Sequence, residues 1–92
     1  NSWRILFAIA NVFSYNEYFK EAIPMWQKTF DCMPKPRYTD SFEAMAQCCV
    51  RMGDHESAVE YYKKELELLR EDWGLKYGAE VDALEEKIRA LQ

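Results

Sequence analysis

Apolar residues recur along the chain at helical spacing. Leu6, Ile9, Ala10 and Phe13 stand at i, i+3, i+4 and i+7, which gathers their side chains on one helix face. A shift of 36 residues carries these positions onto Phe42, Met45, Ala46 and Cys49. The same shift of 36 carries Ala22, Ile23, Trp26 and Phe30 onto Ala58, Val59, Tyr62 and Leu66. A single offset therefore predicts four helices arranged as two equivalent hairpins.

The breaks fall where hairpins need them. Ser14-Tyr15-Asn16 supplies local hydrogen-bonding groups between the first two helices, and Arg51-Met52-Gly53-Asp54 separates the third and fourth. Gly53 suits the left-handed conformation that ends a helix, and Asp54 can cap the next by accepting from its free N–H groups. Met33-Pro34-Lys35-Pro36 cannot continue a helix and marks the boundary between repeats. Asp40 followed by Glu43 predicts a cap for the third helix. Pro24 in the second helix would cost ~3 kcal/mol in a true interior, which predicts a late start or a kink. Glu17 stands where Gly53 stands in the other hairpin, so the first turn is expected to be built differently.

Beyond Leu69 the repeat stops. A third copy would put Gly78, Val81, Asp82 and Glu85 in core positions, and only Val81 suits its slot. Tyr77, Val81, Leu84, Ile88 and Leu91 instead form an apolar stripe among charged residues, an amphipathic helix whose face must cover something. A capping helix that shields the second hairpin is one reading. A short heptad seam for a partner helix is the other. Gly74 and Gly78 either break the segment into two helices or lie within one long curved helix.

The small residues Ala10, Ala46, Ala22 and Ala58, the aromatics Trp26 and Tyr62, and Pro34 at the end of the first unit resemble the tetratricopeptide repeat pattern over roughly residues 4–70. Small side chains let paired helices approach while the aromatic fills the space beside them. The period is 36 against the usual ~34, with the surplus assigned to Lys35-Pro36-Arg37. The resemblance implies an all-α fold: two tetratricopeptide-like antiparallel hairpins in a right-handed superhelix, plus a C-terminal capping helix. As one domain over 1–92, it is expected to hold repeat 1 over about 3–36, repeat 2 over about 39–72 and the cap over about 79–91. Leu69-Arg70-Glu71-Asp72-Trp73-Gly74-Leu75, followed by Gly78-Ala79-Glu80-Val81, Leu84 and Ile88, also resembles the end of the bacterial transcriptional activator domain. Tyr77 and Ala79 stand where prolines are usual there.

Composition supports a folded module: of 92 residues, 49% are hydrophobic and 15% aromatic. The formal charge of −4 is uneven, with five basic and three acidic groups over 1–38 against seven and thirteen over 39–92. With no basic stripe to displace counterions from phosphates, direct nucleic-acid binding is not expected. Three cysteines, two of them adjacent, make no disulfide framework. Cys48 and Cys49 are expected to divide between surface and core as free thiols, with the cytoplasm as the location. Residues 5–13 imitate the apolar part of a signal peptide, but the repeat accounts for them and they fall short of the ~20 residues a membrane span needs. A chain that starts at Asn1 rather than Met reads as a piece of a longer protein.

No catalytic, cofactor or metal-binding set emerges. His55 is the single histidine, the cysteines lack CxxC spacing, and Gly53, Gly74 and Gly78 are isolated. Binding remains. In stacked hairpins the first helix of each pair lines the concave surface, which nominates Phe7, Asn11 and Ser14 together with Glu43, Gln47 and Val50. Tetratricopeptide modules that grip a C-terminal carboxylate use Lys, Arg and Asn here; Asn11 fits, but Phe7, Glu43 and Ala44 do not. Asp40 and Glu43 better suit a neutral or basic peptide. The expected function is a non-catalytic protein-interaction or scaffold module with a protein or peptide partner, self-association included, and no membrane contact. The alternative is an activator or oligomerisation segment of a bacterial transcriptional regulator whose DNA-binding domain lies outside this chain.

Overall fold

The computed structural model describes residues 2–92, which form five helices and, among the described residues, no strand. These are α1 (Trp3–Tyr15), α2 (Phe19–Asp31), α3 (Asp40–Arg51), α4 (His55–Trp73) and α5 (Ala79–Leu91). Each helix packs on the next in sequence, and α1 also touches α3. The result is a slab of 32 × 31 × 16 Å. Ala10, Ala22, Ala46 and Ala58 are fully buried, as close helix packing requires. One core cluster gathers Trp26, Phe30, Phe42, Met45 and Cys48 between α2 and α3. A second joins Ala46, Val59, Tyr62 and Leu69 to Val81, Leu84 and Ile88 of α5.

The two hairpin turns are built alike, contrary to the expectation for Glu17. Glu17 has φ 65° and Gly53 has φ 80°. The Glu17 N–H donates to Ser14 O at 3.1 Å and that of Tyr18 to Phe13 O at 2.9 Å. Thirty-six residues on, Gly53 donates to Val50 O at 3.0 Å and Asp54 to Cys49 O at 2.8 Å. Both are the paired bonds that close a helix on a left-handed residue. Ser14 and Tyr15 accordingly belong to α1 rather than to the turn. Asp54 caps α4 as expected, accepting from Ser57 N at 3.1 Å.

Other expectations are corrected. Asp40 lies inside α3, whose N-cap is Thr39 with no side-chain cap bond, and Glu43 pairs with Lys87. The second helix does not start late: α2 begins at Phe19 and runs through Pro24. Pro24 and Lys20 are both exposed, so water can reach the carbonyl that the missing N–H would have served. Cys48 and Cys49 are both buried, since α3 is flanked by α2 and by α4. Ile9 is exposed because α1 has helices on one side only. Gly74, at φ 65°, ends α4, so residues 66–92 form two helices. Tyr77 precedes α5 and is exposed, and Leu75 packs on the second cluster instead.

The connection between α2 and α3 is more than a longer loop. Asp72 accepts three bonds from Arg37, from the backbone N at 2.8 Å, Nε at 2.8 Å and Nη2 at 3.0 Å. Trp73 Nε1 donates to Arg37 O at 2.7 Å, and the Trp73 ring stacks on Tyr38. Tyr38 in turn packs against Trp3. The Arg37 guanidinium, hydrogen-bonded and charged, holds the Asp72 carboxyl down to about 2.

Candidate functional site

The repeat geometry lets α1 and α3 lie side by side, leaving an open hollow of about 350 Å³ between them. Asn11 and Ser14 reach it from α1, and Gln47 and Val50 from α3. Ala44, Cys48 and Arg51 of α3, Phe19 and Trp26 of α2, and Tyr62 of α4 complete its walls. Four of the six nominated residues thus meet in one place.

The other two do not. Phe7 is half-buried in an aromatic group, edge-on to Trp3 at 6.3 Å and to Trp26 at 5.0 Å. It borders a separate hollow with Trp3, Arg4, Tyr38 and Asp40. Glu43 ties α3 to α5 through Lys87 at 2.9 Å and accepts from Gln47 Nε2 at 3.0 Å. Ser14 is also committed: its Oγ accepts from Trp26 Nε1 at 2.8 Å and lies 3.7 Å from Cys48 Sγ. The amide of Asn11 and the Arg51 guanidinium are therefore the polar groups best placed to meet a ligand.

Arg51 was not among the nominated residues. It stacks over Phe19 at 5.0 Å and pairs with Glu17 at 3.1 Å. Both partners of that pair are exposed, so its worth is small and a ligand anion can compete for the cation. The signal was present in the chain: Ala44, Gln47, Cys48 and Arg51 stand at i, i+3, i+4 and i+7. Two repeat-equivalent pairs, Asn11 with Gln47 and Ser14 with Val50, line the groove together, and Arg51 joins them from the last turn of α3.

A buried carboxyl lies near Glu43 and Lys87, outside the lining of the groove. Glu65 is 5% exposed, and its Oε1 has no hydrogen-bond partner. Burial first, then the charge of Glu43 and a hydrogen bond to it, push the Glu65 carboxyl up to about 8. At neutral pH Glu65 holds its proton. Burial likewise pushes the Cys48 and Cys49 thiols up, which leaves both poor nucleophiles. Among the described residues no three His, Cys, Asp or Glu side chains gather as a metal site would require. Nor is any described helix long and apolar enough to cross a membrane.

Five antiparallel helices stacked in sequence, with a shallow groove between the first helices of two hairpins, define a helical-repeat protein. Residues 41–72 match the family model for the tetratricopeptide repeat, so α3 and α4 form a repeat of that family. No curated protein matches the chain. Tetratricopeptide repeats typically serve as protein-interaction modules and in general carry no catalysis.

Proposed function

We propose that the chain is a protein-interaction module that holds a segment of a partner in the groove between α1 and α3, with 3–36 and 39–72 as its two repeat units and α5 as the cap. The observation that carries this reading is the convergence of Asn11, Gln47, Val50 and Arg51 on one open hollow. Asn11 and the Arg51 guanidinium can bond peptide carbonyls, while Ala44 and Val50 offer apolar contact. Asp40 and Glu43 suggested a neutral or basic peptide; the groove carries one cation, so a neutral or weakly acidic face fits it better than a basic one. Free thiols suit a reducing compartment such as the cytoplasm.

Panning a phage-displayed random peptide library on the chain tests the groove. Binders should lose affinity for an Asn11→Ala/Arg51→Ala double variant that keeps its helical circular dichroism. Selected peptides that bind both proteins equally would place the site elsewhere.

A second reading is that α4, Gly74 and α5 are the end of a transcriptional activator segment. Its support is the resemblance over Leu69–Ile88. Recovery of the full-length gene without a DNA-binding domain would remove that reading.

A further inference from the structure

A second hollow, of about 340 Å³, opens between the first turns of α3 and α5 and the end of α4. Tyr38 and Trp73 give it two exposed aromatic rings, Leu69 and Leu75 an apolar part, and Asp40 and Glu80 two exposed carboxylates. Its lining is drawn from residues 38–80, away from both ends of the described chain, and shares no residue with the α1–α3 groove. The rings are held in place. Trp73 Nε1 donates to Arg37 O at 2.7 Å, Arg37 is itself bound to Asp72, and Tyr38 stacks on Trp73 with centroids 6.3 Å apart. A wall fixed in this way costs a ligand little to order.

Elsewhere the chain shows what a ring beside a carboxylate receives. Arg37 lies over Phe30 at 4.7 Å and pairs with Asp72 at 2.8 Å. Arg51 lies over Phe19 at 5.0 Å and pairs with Glu17 at 3.1 Å. Lys87 lies over Tyr62 at 5.5 Å and pairs with Glu43 at 2.9 Å. Each seats a cation where a π face and an anion both attract it. In this hollow the rings and anions stand without the cation. Among the described residues no Lys or Arg lines it, and neither Asp40 nor Glu80 forms an ion pair. Arg4, in an adjoining hollow that Asp40 also borders, lies over the Trp3 ring at 4.9 Å instead. The field on this flank is negative even beside Lys87. One turn back along α4 from Leu69, burial first and then Glu43, with Asp40 adding to it, hold the Glu65 carboxyl up to about 8.

We infer that this hollow receives the guanidinium of an arginine side chain on a partner peptide. Charge complementarity selects a cation, because an aliphatic side chain would gain the apolar wall while stripping water from two carboxylates. The rings favour guanidinium over ammonium, since it is planar, more weakly hydrated and stacks on aromatic faces. Asp40 thereby serves the basic peptide that its charge suggests, at a place apart from the groove. A partner can use either site without the other.

NMR titration of the isotope-labelled chain with the peptide Ac-Gly-Arg-Gly-NH2 up to ~20 mM reads this directly, with the Trp73 indole N–H as the local probe. Millimolar binding is expected, weakened by added salt and absent for the same peptide carrying citrulline, the uncharged isostere of arginine. An Asp40→Asn/Glu80→Gln variant should bind at least ~5-fold more weakly. An Asp82→Asn/Glu85→Gln variant, which removes two charges of α5 outside the hollow, should bind normally. Asp40 and Glu80 also favour the first turns of α3 and α5, so the variants are compared at equal helical circular dichroism. A lower Tm with undiminished binding would show a structural role alone and overturns the site. So do equal binding of the citrulline peptide, equal weakening in the two variants, and an unmoved Trp73 signal at the highest concentration. The Asn11→Ala/Arg51→Ala variant should bind this peptide as the wild type does, which separates failure of this site from failure of the groove.

Discussion

Glu17 and Gly53 occupy the same turn geometry with different chemistry, and the difference is measurable. A non-glycine residue in the left-handed region costs ~1–2 kcal/mol, partly offset when glycine's own freedom in the unfolded chain is counted. Glu17 gains from its exposed pair with Arg51, which is worth little. Glu17→Gly should therefore stabilise the fold by ~0.5–1 kcal/mol, read as a raised midpoint in thermal or urea unfolding. Glu65 makes the second residue-scale prediction. Its folded carboxyl sits at about 8 against an ordinary 4.5, so between these values the native state keeps a proton that the unfolded state releases. Stability contributed at low pH is lost as pH rises through that window. Glu65→Gln, which keeps a donor toward Glu43, should flatten the slope and raise Tm at pH 8 by ~4–8 °C, the shift of ~1 kcal/mol. Neither feature was legible in the chain: sequence rules assign positive φ to Gly, and the state of Glu65 depends on Glu43 and Lys87 from other helices.

Helices are the scale at which the sequence spoke most clearly. Spacing of apolar residues is local information, and the 36-residue shift located four helices through Ala10, Ala22, Ala46 and Ala58. The bounds erred where tertiary neighbours intervened: Ser14 was drawn into α1, and Tyr77 was left outside α5. The groove was half legible for a similar reason, since Asn11 and Gln47 were found by repeat equivalence while Arg51 needed the relative placement of two helices. The buried alanines permit a direct test. Ala22→Leu or Ala58→Leu forces a larger side chain into a closed helix contact and should cost ~1–3 kcal/mol. Unchanged thermal unfolding of both would contradict the alignment of the two hairpins.

Across the whole molecule, the Arg37–Asp72 contact spans the seam between the hairpins. Arg37 comes from the inter-repeat loop and Asp72 from the last turn of α4, a separation that no spacing rule could anticipate. The Asp72 carboxyl is held at about 2 against an ordinary 3.8, so the stability it contributes is complete above the higher value and disappears as pH falls through the lower. Asp72→Asn should lower Tm at neutral pH and reduce the acid-side slope between those limits; a variant with the wild-type acid profile would show that the contact carries no stability. The same seam has an optical consequence. Trp26 is sealed in the core with its indole N–H on Ser14, whereas Trp73 is exposed, stacked on Tyr38 and bonded to the loop carbonyl of Arg37. One indole therefore emits from a dry setting and the other from a wet one, and a pair of single-tryptophan variants would let fluorescence time the opening of the seam separately from the melting of the interior.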